Sequence, residues 1–127
     1  MHAILSIKPQ YTDLIFRGLK TFEYRRAIFK QQIHTVVVYA SAPTSLIIGE
    51  FRVEDILHMD LDDLWRRTQA QGGVSEAVFY DYFAGKDQGY AIQIGKVQFS
   101  HSPRTIQHVY GVRPPQSFMY VPVSYGR

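Results

Sequence analysis

A chain of 127 residues that is 46% hydrophobic and 14% aromatic holds apolar material for one core and too little for two ordinary domains, so a single domain over residues 1–127 is expected. It contains no cysteine, which excludes disulfides, thiolate metal ligands and a cysteine nucleophile and fits a reducing compartment, with the cytoplasm as the default. A formal charge of +3 and a pI near 9.2 do not by themselves mark a nucleic-acid binder, and the chain lacks both a signal-peptide pattern and an apolar run near the roughly 20 residues that span a bilayer.

HAILSI predicts a strand at Ala3 to Ile7, followed at once by Pro9, a residue suited to the first turn of a helix. Tyr11, Leu14, Ile15 and Leu19 recur at helical spacing and Gly18 sits where helices end in a left-handed residue, so a short helix is expected from Pro9 to Arg17. TFEYR, rich in residues that favour pleated surfaces, reads as the next strand. HTVVVYA, His34 to Ala40, is a β-branched run typical of a strand buried on both faces, and Ala42 to Ser45 is a turn. SLIIGEFRVEDIL continues as a long strand with Gly49 at a bulge or bend.

The pattern then changes to helix. LDDLWRRTQAQ opens with acidic residues suited to a helix N-terminus and stops at Gly72 and Gly73, and SEAVFYDYF is a second short helix with Ser75 as N-cap, ended by Gly85. GYAIQIGKVQF, Gly89 to Phe99, is a strand interrupted by Gly95, and the proline-punctuated remainder (SPRTI, RPPQSF, YVPV) predicts short edge strands and turns. These elements give a small α+β domain on a curved sheet or partly closed barrel, with one early helix and two in the middle.

Charge is unevenly spread. Lys8, Arg17, Lys20, Arg25, Arg26 and Lys30 face only Asp13 and Glu23 in the first thirty residues, whereas Glu50 to Asp63 is acidic. Lys96, Arg104, Arg113 and Arg127 are the charged residues after Gly95. Were the two ends to meet, they would form one positive face attractive to a phosphate backbone.

The densest chemistry is GLKTFEYRR, Gly18 to Arg26. In a strand Thr21, Glu23 and Arg25 share one face while Phe22, Tyr24 and Arg26 take the other. Glu23 and Arg25, two residues apart, lie within reach of each other, and Lys20 at the helix-to-strand junction reaches the same place. Such a cluster suits an anion or a base edge bearing donors and acceptors. The same residues also fit an exposed ion pair with Lys20 merely capping the helix, and residue chemistry leaves both readings open.

GLKTFEYR, with Gly18, Lys20, Glu23 and Arg25 in place, resembles the G-x-K-x-x-E-x-R signature of the ASCH domain family. ILSIKPQYTDLIFRG, VVVYASAPTSLIIGEF, GVSEAVFYDYFAGKDQGYAIQIGKV and PPQSFMYV are similar to flanking segments of its single-domain prokaryotic members. The resemblance implies a β-barrel fold related to PUA domains, which bind RNA. It also implies a cleft between the early helix and the barrel that takes RNA or a nucleotide-like ligand. On that reading Lys20, Arg25 and Arg26 meet phosphate, Glu23 orients Arg25 or accepts from a base amino group, and Thr21, Lys8, Tyr11 and Ser41 join the same cleft.

The resemblance also leaves an enzyme open, because some ASCH proteins are amidohydrolases of acylated cytidine. In those a threonine stands at the position of Glu23 and a separate glutamate precedes the late helix. Here that threonine is absent, no carboxylate occurs among Gln71, Gly72, Gly73 and Val74, and Glu76 is only close by. The rival function is therefore a small hydrolase of modified nucleosides or of RNA with Lys20 as base or nucleophile, and the third is a partner-binding domain.

The five histidines have no metal-ligand spacing and there is no phosphate-cradling glycine loop, so neither metal nor cofactor is expected. Tyr80, Tyr82, Phe83 and Trp65 are read as packing before stacking, and PPQSF, Pro114 to Phe118, fits equally a rigid turn or a segment that brings Gln116 or Ser117 to the cleft rim.

Overall fold

The computed structural model describes residues 1–123; Arg127, counted above among the basic residues, lies outside them. The elements run β1 (His2–Ile7), α1 (Pro9–Phe16), β2 (Phe22–Arg25), β3 (Thr35–Ala40), β4 (Leu46–Asp60), α2 (Leu61–Thr68), α3 (Glu76–Tyr82), β5 (Gln88–Arg104), α4 (Ile106–Tyr110) and β6 (Phe118–Val121). A 3-10 turn at Gln69–Gln71 continues α2. Six strands form one mixed sheet in the order β2-β5-β4-β3-β1-β6, parallel only between β1 and β3.

The expected α+β class holds, in its open form: β2 and β6 are the two edges of a sheet that does not close into a barrel. The chain ends do meet, because β6 lies antiparallel against β1 with His2 opposite Val121. Central β3 is buried at every position, and its alternation feeds two cores. Val36 and Val38 join Leu5, Ile15, Phe51 and Ile92 on one side, while Val37 and Tyr39 join Ile4, Ile106 and Val121 on the other. A third core, built on Tyr24, Leu64, Phe79 and Phe83, seats α2 and α3.

Gly49 stands beside a register shift in the β3–β4 and β4–β5 pairings, and a Cβ there would press into the Phe16 ring. Two expectations need correction. Gly95 does not interrupt β5: the strand runs through it to Arg104, absorbing the glycine in a register shift against β4. The proline-punctuated tail also holds a helix, α4, capped by Thr105, whose side chain accepts from the His108 N–H, and stopped by left-handed Gly111.

Candidate functional site

The site begins with the way α1 stops. Gly18 has φ +77°, the Gly18 N–H bonds the Ile15 carbonyl at 3.1 Å and the Leu19 N–H bonds the Leu14 carbonyl at 2.9 Å, a Schellman turn that reverses the chain. The next residue, Lys20, also donates its N–H to Leu14, and its side chain is thereby aimed inward. It is 2% exposed.

Three charged side chains meet there. Lys20 Nζ lies 3.7 Å from one Glu23 oxygen and Arg25 Nη1 donates to the other at 3.1 Å. Glu23 is 6% and Arg25 8% exposed, which overturns the exposed-pair reading and the notion of Lys20 as a surface helix cap. Each charge lies beside an opposite charge and is hydrogen-bonded where it is buried, although the single carboxylate leaves the trio one net positive charge.

Partners from distant segments fix the cluster. The Lys20 ammonium donates to the Gly72 carbonyl at 2.5 Å and sits 5.4 Å and 5.0 Å from the ring centres of Tyr11 and Tyr24. A Cβ on Gly73, which has φ +72°, would fall 2.9 Å from Lys20 Cδ, and one on Gly72 would overlap the Tyr24 hydroxyl. The glycine pair thus does more than end a helix: it is backbone laid directly over the lysine. Thr68 donates its single hydroxyl hydrogen to the Leu64 carbonyl, so the Tyr24 hydroxyl donates to Thr68, at 2.6 Å.

Arg25 Nη2 donates to the carbonyl and hydroxyl of Ser117 at 2.8 and 3.0 Å. Ser117 immediately precedes β6, so a side chain, rather than a strand ladder, spans the two edges of the open sheet. The opening left beside that bridge is a cleft of roughly 550 Å³.

Its lining brings together Lys20, Glu23, Arg25, Lys8, Tyr11 and Ser41 from the sequence reading, and it includes both Gln116 and Ser117. Thr21 and Arg26 do not line it. Thr21 instead ties β2 to Gln71 by a backbone bond of 2.9 Å and a side-chain bond of 3.0 Å, which holds the glycine pair in place. The Arg26 guanidinium is committed to the carbonyls of Tyr82 and Ala84, behind α3.

Sequence reasoning missed the α3 wall. Val78, Asp81 and Tyr82 line the cleft together with Val74 and Phe79, and the three-and-four spacing of 78, 81 and 82 was the signal that they share a face. Tyr82 was read as core yet is 39% exposed. Phe83 and Trp65 do pack as expected, against Phe79, and Tyr80 donates to Asp62. Glu76 lies in the first turn of α3, outside the cleft lining.

Burial, the larger influence, holds the Lys20 ammonium below the usual lysine pKa, against the opposing pull of Glu23. Burial likewise raises the Tyr24 and Tyr82 phenols. The floor therefore offers a graded proton donor, a carboxylate and a guanidinium between neutral tyrosines. Among the described residues no three histidine, aspartate or glutamate side chains gather as metal ligands would, and no helix is long and apolar enough to cross a membrane.

The family model for the ASCH domain matches residues 5–101. An ASCH domain-containing ribonuclease of Zymomonas mobilis is 29% identical over 124 residues, covering 94% of this chain and 83% of that protein. The large ribosomal subunit protein uL22 of Ureaplasma parvum is 24% identical over 119 residues; that match covers 93% of this chain and only 38% of the ribosomal protein. The crystal structure of ASCH from Zymomonas mobilis superposes with a TM-score of 0.88 at 28% identity, over 96% of this chain and 88% of that one.

Proposed function

This chain belongs to the ASCH domain family, and from that premise we propose that it acts as one RNA-binding domain that draws a single unpaired nucleotide into the cleft. One observation carries the reading: three charged side chains, each under a tenth exposed, form the floor of a cavity of nucleotide size.

The floor suits a base more than a phosphate. Glu23 offsets only one of the two cations, Lys20 and Arg25, so the floor keeps about one net positive charge, but its carboxylate would repel a phosphate set beside it. What remains is directional: unused N–H donors on the lysine and guanidinium, and spare lone pairs on the carboxylate. Tyr11 and Tyr82, from different helices, offer rings for stacking. Phosphates would stay at the mouth, where exposed Lys8 is the available cation. The cytoplasm is the compartment proposed for this role, in keeping with a chain that has no cysteine to oxidise.

A second reading, cleavage of the bound RNA, is favoured by the name of the Zymomonas relative and by the lowered pKa of Lys20, which brings an amine base closer to neutral pH. Labelled single-stranded RNA titrated at several salt concentrations, with the same samples then run on a gel, tests both readings. Lys8→Ala is expected to flatten the slope of log affinity against log salt by about 0.7, the value of one single-strand phosphate contact, whereas Arg25→Ala weakens binding with the slope unchanged. A reversed pattern would move the phosphate to the floor. Fragments that depend on Lys20 would make the protein a ribonuclease, and failure to bind any RNA would overturn the proposal.

A further inference from the structure

We infer that residues 71–73 form a strap that positions the Lys20 ammonium, and that Thr21 and Gln71 are the positioning residues that hold the strap down. The consequence for RNA rests on the binding reading above. Lys20 lines the cleft; Thr21 and Gln71 lie outside the lining and act on it through the lysine.

A lysine is a point charge on a flexible four-carbon stem, so its donors have a fixed direction only where the surroundings supply one. Here the strap supplies it. The Gly72 carbonyl accepts from the ammonium at 2.5 Å, while Glu23 attracts it from 3.7 Å. Gly73 lies so close over the stem that a Cβ would fall 2.9 Å from Lys20 Cδ and 3.0 Å from Cγ. Those contacts set where the ammonium stands and what it can still offer a ligand.

The height of the strap is fixed from the sheet. The Ile94 N–H of β5 donates to the Thr21 carbonyl at 2.8 Å, which anchors Thr21. The Thr21 N–H in turn donates to the Gln71 carbonyl at 2.9 Å, and the Thr21 hydroxyl bonds the Gln71 side-chain oxygen at 3.0 Å. Gln71 immediately precedes the accepting carbonyl, so a lift of Gln71 carries Gly72 away from the lysine. The same lift uncovers an amine that is otherwise 2% exposed. The hydroxyl bond is itself at the surface, where its contribution to global stability is modest; its main effect is on Lys20.

Trace acetylation of the free protein, with each lysine quantified by mass spectrometry, tests the strap without RNA. Exposed Lys8, Lys30, Lys86 and Lys96 serve as internal references. Thr21→Val removes the hydroxyl and keeps the backbone bond. It is expected to raise Lys20 labelling about threefold or more over the references, the effect of losing one hydrogen bond, and to weaken single-stranded RNA binding by a similar factor. Gln71→Ala does the same, the double variant adds nothing further, and Thr21→Ser, which keeps the hydroxyl, behaves as wild type. Ile4→Val, a change in the separate core beneath α4, lowers stability and moves neither readout. Unchanged Lys20 labelling in Thr21→Val, an additive double variant, or an equal rise in Ile4→Val overturns the strap while RNA binding stands. Raised labelling with RNA affinity intact overturns its part in binding. A wild-type protein that binds no RNA overturns the RNA reading, and the labelling of the free protein still decides whether the strap holds Lys20.

Discussion

Glu23→Ala is expected to lower the free energy of unfolding by about 3–5 kcal/mol, the cost of removing one partner from a buried ionic group and leaving its counter-charges unpaired. Two cations, Lys20 and Arg25, would remain in a site under a tenth exposed. By contrast Asp13→Ala breaks the Arg17 pair on the surface of α1, whose side chains are 62% and 64% exposed, and should change stability by less than about 1 kcal/mol. Urea unfolding of the three proteins decides it. A Glu23→Ala loss no larger than that of Asp13→Ala would mean the buried cluster contributes little to the fold.

The Glu23→Ala deficit should also depend on pH in a fixed direction. Lys20 has a folded pKa below its unfolded value of 10.5, so between the two the unfolded chain binds the proton and stability rises with pH. Removing Glu23 deletes the influences that raise the folded pKa and extends that window downward. The variant therefore regains ground on the wild type as pH rises above neutral, because its lysine sheds the charge that has lost its partner. A deficit that widens over the same range would contradict the assignment.

The second large effect is Phe79→Ala, expected to cost about 3–5 kcal/mol as a buried aromatic truncated in a packed core. Phe79 is 1% exposed, and its ring centre lies 4.9 Å from those of Tyr24 and Phe83 and 5.1 Å from those of Trp65 and Tyr80. It is the contact that seats α3 on β2, and α3 is one wall of the cleft. RNA affinity should consequently fall along with stability, although Phe79 adds no polar group to the floor. A loss below about 1 kcal/mol by urea unfolding would show that α3 is held by something else.

Local signals wrote much of this architecture into the sequence. Pro9, the helical spacing of Tyr11, Leu14 and Ile15, and Gly18 mark α1; the β-branched run marks β3; Ser75 marks the start of α3, where its side chain accepts from the Val78 N–H. Glycine in a strand is a weaker signal, since Gly95 fits a break as readily as the register shift it occupies in β5. Helix α4 has only five residues, too few for periodicity to register against the prolines around it.

The site was legible in its residue types but not in its depth. Lys, Glu and Arg are ordinarily solvated, and what buries them comes from far along the chain: Gly72 and Gly73 over Lys20, Ser117 against Arg25. Those contacts follow from how the sheet ends come together, which no window of sequence contains. The same closure explains Arg26, adjacent to the cluster in sequence yet turned to carbonyls of the α3 C-terminus.

The most direct measurement is photo-cross-linking of single-stranded RNA carrying 5-iodouracil, a base with an intact Watson–Crick edge, followed by mass-spectrometric mapping of the modified residues. The account predicts adducts at Tyr11 and Tyr82, the rings that flank the floor, and their loss when unlabelled oligouridylate competes. Adducts confined to the exposed face of α2 around Arg66 and Arg67, with the cleft residues untouched, would contradict it.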